Sequence, residues 1–256
     1  MENIEILGVR INSVDYSKAL KLVESFIFDG KKHYIVTPNP EIVMLAQKDS
    51  ELKQILNSAD LAIPDGTGLK FVSLFLGREK IKERVTGVDL MEKICQISAH
   101  KGYKVGLLGG RGDTVFRTAE SLSHKFPKLK LVVFEETANG LQTKDYGKNQ
   151  QSSNRQQTRE MDRRQKAVDI LFVAFGAPKQ EKWIAANLPK IPVKVAIGVG
   201  GAFEMITGKQ RRAPKYLQKL GLEWFWRLIL QPWRVKRQLA LVVFVYFVIK
   251  QKLFHS

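Results

Sequence analysis

Residue types able to do chemistry cluster in short loops that follow apolar runs. In PDGTG, Asp65 follows the apolar run Leu61–Ile63, one proline later. A carboxylate there serves as a general base when it reaches a substrate hydroxyl, and serves equally as a turn or helix-cap acid. In TPNPE, Thr37 and Asn39 carry groups that hydrogen-bond hydroxyl-rich ligands, although Pro and Asn also build ordinary turns. ERVTGVDL places Arg84, Thr86 and Asp89 ahead of a helix. The planar fork of Arg84 suits a phosphate or a plain surface position, and Asp89 suits a first helical turn.

LLGGRGD brings Gly109 and Gly110 to a strand-to-helix turn, where backbone N–H groups can approach a phosphate or a ribose. FGAPKQE offers Gln180, whose amide can read a base or sugar edge. GVGGAFE offers Gly200 for close backbone approach, with tight packing as the alternative use of its glycines. Neither a dinucleotide fingerprint nor a P-loop is present. There is no Asp-x-Asp pair to hold a divalent ion on a nucleotide sugar, and His33, His100, His124 and His255 lie outside all these loops. Hydrolytic zinc chemistry and a His-based triad are disfavoured. The expected site has no metal and no cofactor, and arginine is the available substitute for stabilising a diphosphate.

The elements that must position these loops follow one rhythm. Strands are expected at Ile4–Ile11, Tyr34–Val36, Leu61–Ile63, Lys104–Leu108, Leu129–Phe134, Ile170–Ala174 and Val193–Ile197. Helices are expected from Tyr16 to Phe28 with Asp15 as cap, from Pro40 to Gln47, from PDGTG to Leu76, from Val88 to His100, from GGRGD to about Lys125, and around Trp183. Strand, glycine-bearing loop, helix, repeated, is the pattern of an α/β fold with a mostly parallel sheet, and ligands bind such sheets at the carboxyl ends of the strands. The polar stretch Asn139–Lys166 reads as a mobile insertion or a connection with part of a helix.

The chain has 256 residues and a net charge of +17. The charge is uneven. Between Lys209 and Lys252 eleven basic residues face one acid, Glu223, so this stretch carries ten of the seventeen excess charges. It also holds Trp224, Trp226 and Trp233 and the apolar run Leu239–Ile249. Basic residues, tryptophans and a short apolar run together predict a helix lying in an anionic membrane surface. Nucleic acid accounts for the charge but not for the apolar run, so it is not the expected partner. Self-association is the other way to hide that run. Eleven apolar residues fall short of the roughly 20 that a spanning helix needs. The opening MENIEILGVRI has neither a basic nor a long apolar region, so no secretion signal is expected. One cysteine, Cys95, excludes a disulfide framework. The expected organisation is an α/β core over 1–208, with the polar insertion at about 139–166, and a basic, tryptophan-rich, membrane-associating helical appendage over 209–256.

Taken in order, TPNPE, PDGTG, RVTGVDL, LLGGRGD, FGAPKQEKW, GVGGAFE and RRAPKYLQKLGLEWFWRL resemble the WecG/TagA/CpsF family of bacterial glycosyltransferases. The likeness runs from Thr37 to Arg237. It implies a Rossmann-like core with helices on both faces of the sheet. It implies transfer of a sugar, N-acetylmannosamine or its uronic acid in the best-known members, from a UDP-sugar donor to a polyprenyl-diphosphate-linked acceptor at the cytoplasmic membrane face. Carried over by position, the resemblance makes Asp65 the general base, with Thr37 and Asn39 in the same pocket. Arg84 would meet phosphate and Gln180 the nucleotide. Arg227, Arg234 and Arg237 would bind the diphosphate. The sequence departs from the family at Gln231, where many relatives have an acid before the proline, and in the length of Asn139–Lys166.

Overall fold

A computed structural model of the chain describes residues 2–76, 81, 83–137, 140–146, 167–232 and 235–254. The first feature departs from expectation. Ile4–Ile11 is not one strand but two, β1 (Asn3–Ile6) and β2 (Val9–Asn12), paired antiparallel with Ile6 opposite Val9. The break falls at Leu7 and Gly8, which both adopt positive φ, 50° and 74°. Two successive positive φ values are what a two-residue hairpin turn requires, and glycine adopts them without Cβ strain. The alternation survives the turn, because Ile4, Ile6, Val9 and Ile11 are all fully buried.

Helix α1 (Tyr16–Phe28) starts as expected, with the Asp15 carboxylate accepting from the Lys18 N–H at 2.7 Å. Then come β3 (His33–Val36), α2 (Pro40–Ala46), α3 (Ser50–Ser58), β4 (Leu61–Ala62), α4 (Thr67–Phe75), α5 (Gly87–Lys101), β5 (Lys104–Gly109), α6 (Thr114–Lys125) and β6 (Lys130–Thr137). The chain continues through β7 (Gly140–Tyr146), β8 (Val168–Ala174), α7 (Lys179–Asn187), β9 (Val193–Gly198), α8 (Ala202–Ile206), α9 (Lys215–Lys219), α10 (Glu223–Leu230) and α11 (Val235–Phe254). Helix α3 was not anticipated. Asp49 caps it through the Leu52 N–H, and Leu52 and Leu56 bury one face. Strand β7 occupies part of the stretch read as an insertion, and 147–166 lies outside the described residues.

The seven-stranded sheet has the order β4-β3-β9-β8-β5-β6-β7. All its described pairings are parallel except β6 with β7. This is the expected mostly parallel α/β architecture. Contacts divide the chain into two units, residues 1–19, 35–86 and 210–256 in one and 20–34 and 87–209 in the other. In the second unit, Leu108, Val132, Phe134, Leu171 and Val173 pack with Trp183, Ile184 and Leu188 of the α7 region. The alternate residues Leu107, Val133, Phe172 and Ile197 point to the opposite face and are equally buried. Strands buried on both faces are the mark of a parallel sheet covered by helices.

In the first unit, the 20-residue α11 packs against α2. Phe244 and Val248, one turn apart, are its buried apolar residues among those described, while Leu239, Val242, Val245, Tyr246 and Leu253 are each more than half exposed. Gln251 Oε1 accepts from the Leu7 N–H at 3.1 Å, and Gln47 Nε2 donates to the Leu7 carbonyl at 3.0 Å, so both backbone groups of Leu7 in the hairpin turn have partners. No helix among the described residues is long and apolar enough to cross a membrane.

Candidate active site

The loops after β3 and β4 are held side by side by the sheet itself. Val36 sits opposite Ala62 in register. The pairing continues past the strands, with the Ile63 N–H donating to the Val36 carbonyl and the Asp65 N–H donating to the Pro38 carbonyl, both at 2.9 Å. TPNPE and PDGTG therefore lie together at a strand carboxyl end, where an α/β sheet places ligands. Thr37 is buried, while Asn39 and Asp65 are half-buried. Asn39 is the N-cap of α2, its Oδ1 accepting from the Ile42 N–H at 3.0 Å, with Pro40 in the first turn. Gly66 leads into α4 and Asp65 precedes it, so the Asp65 carboxylate is not the helix cap.

The same unit carries an ionic cluster. Arg84 Nη2 donates to Glu223 Oε2, joining the loop before α5 to the first turn of α10. Arg212 Nε lies 3.9 Å from Glu223 Oε1, and Arg212 Nη2 lies 3.5 Å from Thr86 Oγ1. The Thr86 N–H donates to Tyr16 Oη at 3.0 Å. Two residues before Glu223, the Gly221 carbonyl accepts from Thr67 Oγ1 at 3.1 Å. The segment 221–223 thus touches both PDGTG and the Arg84 loop.

In the second unit the loops after β8 and β9 are tied by one amide. Gln180 Oε1 accepts from the Gly176 N–H at 3.1 Å and from the Gly200 N–H at 3.0 Å. Gln180 Nε2 donates to Glu181 Oε1 at 2.8 Å, which fixes which way the amide faces. Both residues are buried, and Glu181 Oε2 has no hydrogen-bond partner among the described residues. Burial pushes the Glu181 carboxyl above its usual range, against a smaller lowering by the Gln180 amide. Gly109 and Gly110 both have positive φ, 98° and 80°. A Cβ on Gly109 would press on Phe175 and the Ala174 backbone, and one on Gly110 on Thr114. Their conformation and close packing account for glycine at both positions.

Against this geometry, likeness to known proteins decides the family. Residues 4–256 match the WecG/TagA/CpsF family of glycosyl transferases. The chain belongs to that family. It is 32% identical, over 89% of its length and 86% of the relative's, to the N-acetylglucosaminyldiphosphoundecaprenol N-acetyl-beta-D-mannosaminyltransferase of Bacillus subtilis strain 168. Proteins of the same name in Bacillus spizizenii and Staphylococcus aureus strain NCTC 8325 are 30% and 28% identical. They match 94% and 97% of this chain, and 91% and 93% of their own lengths.

For this glycosyl transferase the structure brings Thr37, Asn39 and Asp65 onto adjoining loops and gives Arg84 a carboxylate partner. Gln180, expected at the nucleotide, is buried with its Oε1 and Nε2 on the protein's own groups, where it ties two loops together. Gly200 gives its N–H to that same amide. Arg234 lies outside the described residues, as do the side chains of Arg227 and Arg237 on α10 and α11. Sequence reading passed over Glu181, Arg212 and Glu223 as site residues. Glu223 had a signal, since it is the one acid in the basic stretch. Glu181 had a weaker one, adjacency to Gln180.

Proposed function

We propose that this chain transfers N-acetylmannosamine from UDP-N-acetylmannosamine to N-acetylglucosaminyl-diphospho-undecaprenol, with inversion at the anomeric carbon, in teichoic-acid-type linkage-unit synthesis. The observation that carries the reading is the extent of the likeness. Three relatives bearing that transferase name match between 89% and 97% of the chain.

Asp65 is the general base. Its carboxylate takes the proton from the acceptor hydroxyl as that oxygen forms its bond to the anomeric carbon. The bond from that carbon to the UDP oxygen breaks, and UDP leaves with the electron pair. Thr37 and Asn39 orient sugar hydroxyls beside it. Arg84, with Arg227, Arg234 and Arg237 of the tail, neutralises the diphosphate charge, a role a metal ion plays in other nucleotide-sugar enzymes. Transfer is expected to continue in EDTA.

The lipid acceptor asks for an enzyme at a membrane surface. Helices α10 and α11 supply one, with Trp224, Phe225 and Ile229 exposed on the first and most apolar residues exposed on the second. Cationic, amphipathic surfaces of this kind dock on anionic lipid. The proposed location is peripheral, on the cytoplasmic face. Incubation with UDP-N-acetylmannosamine and a short-chain N-acetylglucosaminyl-diphospho-lipid is expected to release UDP only when the acceptor is present. Release from UDP-glucose or UDP-N-acetylmannosaminuronic acid alone would transfer the proposal to that donor. Co-sedimentation is expected with phosphatidylglycerol vesicles and not with neutral phosphatidylcholine vesicles.

A further inference from the structure

The one acid among eleven cations in the tail is spent inside the protein. Glu223 is 5% exposed. Its two oxygens address two arginines, Arg84 by hydrogen bond and Arg212 across 3.9 Å. Glu223 lies in the first turn of α10, where an acid also suits the helix dipole. Burying a carboxylate carries a large desolvation cost, which only close cations offset. Its burial and its pairing with two arginines therefore go beyond a capping role.

Arg84 gains most from the arrangement. A guanidinium has five donors in a rigid plane. Glu223 takes one Nη2 proton, and Arg84 Nε is buried without a partner among the described residues. The plane is thus anchored at one edge with donors left over. An unanchored arginine side chain must lose its rotamer freedom when it binds an anion. An anchored one has lost it already. Two guanidiniums share this one carboxylate.

We infer that Glu223 is a positioning residue for phosphate recognition, acting through Arg84: its carboxylate sets the orientation in which that guanidinium meets the diphosphate of the substrate. This rests on the reading of Arg84 as a phosphate-holding arginine, so the test separates the two.

Four full-length proteins form a cycle: wild type, Arg84→Ala, Glu223→Gln and the double variant. Each is titrated with UDP and assayed for transfer, with melting temperature as the folding check. UDP supplies the diphosphate whatever the sugar or acceptor, so the titration decides even if the donor has been misassigned. Arg84→Ala is expected to weaken UDP binding about a hundredfold and Glu223→Gln about tenfold, as loss of charge-assisted bonds does. Adding Glu223→Gln to Arg84→Ala is expected to change nothing further, the signature of one residue acting through another. A second tenfold loss in the double variant would overturn this inference and leave the Arg84 reading standing. Wild-type affinity in Glu223→Gln would do the same. Wild-type affinity in Arg84→Ala would overturn both. If Glu223→Gln does not fold, Glu223→Asp, which keeps the charge and shortens the reach, runs the same cycle.

Discussion

Glu223 and Glu181 are both almost wholly buried, 5% and 1% exposed, and they are satisfied in opposite ways. Glu223 lies between two guanidiniums, and its region is held by charge. Glu181 accepts from a neutral amide and has a second oxygen with no hydrogen-bond partner among the described residues, so its region is held by neutral hydrogen bonds between buried groups. The first arrangement leaves Arg84 with unspent donors. The second turns the N–H groups of Gly176 and Gly200 onto the protein's own amide. On the proposed reading, the first region meets an anion. The other is built to keep two loops of the sheet's carboxyl end in one shape.

The comparison breaks first at Asp65, which belongs to the unit held by charge. Asp65→Asn is expected to lower the transfer rate about 10²–10⁴-fold, the usual worth of a positioned general base. The backbone bond from Asp65 to Pro38 does not involve the side chain, and the melting temperature of the variant reports any loss of fold separately from the loss of rate. Acceptor-dependent UDP release within a few-fold of wild type would remove Asp65 from the mechanism.

The next effect belongs to the neutral region. Gln180→Leu keeps the bulk but strands the Gly176 and Gly200 N–H groups and the Glu181 Oε1. At about 1 kcal/mol each, the loss is about 3 kcal/mol. For a chain of this size that lowers the melting temperature by about 6–12 °C. Because no charge pair is broken, the drop should be the same in 0.05 M and in 1 M salt, two concentrations chosen to span weak and strong screening. A drop that shrinks or grows with salt would mean the amide is coupled to charges that the geometry does not show.

These two regions were unequally legible. Helix α1 could be read almost to the residue, because Asp15 caps it and Gly30 stops it. The parallel strands could be read from their apolar runs, since burial on both faces leaves no polar alternation to confuse them. Strand β7 could not, because GLQTKDY at the sheet's edge has one large apolar residue before its final tyrosine. The β1–β2 turn was hidden by unbroken apolar alternation on either side of Gly8. At the site, the residue types were readable and their orientations were not. Gln180 looks like a ligand contact in the motif, and only folding shows that both ends of its amide turn inward. Glu223 stood out by composition, but its partner Arg84 is 139 positions away in the chain, beyond any spacing rule.

The smallest effect tests whether Glu181 is held as a neutral acid. Its folded carboxyl titrates above the unfolded one, because burial disfavours the charge. A group of this kind binds more protons folded than unfolded in the interval between the two values. Its contribution to stability is therefore whole below the unfolded value, about pH 4.3 for glutamate, and is lost as pH rises through the folded value. Glu181→Gln keeps the oxygen that accepts from Gln180 and cannot ionise. Measured from pH 5 to pH 8, the melting temperature of the wild type is expected to fall relative to that of Glu181→Gln. Each kcal/mol of difference is worth about 2–4 °C at this chain length. The slope is the observable, because the new amide nitrogen is as poorly partnered as the oxygen it replaces, and that cost is the same at every pH. Parallel curves would mean that Glu181 is ionised in the folded protein across this range just as it is in the unfolded chain, as it would be if it finds a cation. The contrast with Glu223 would then be one of degree and not of kind.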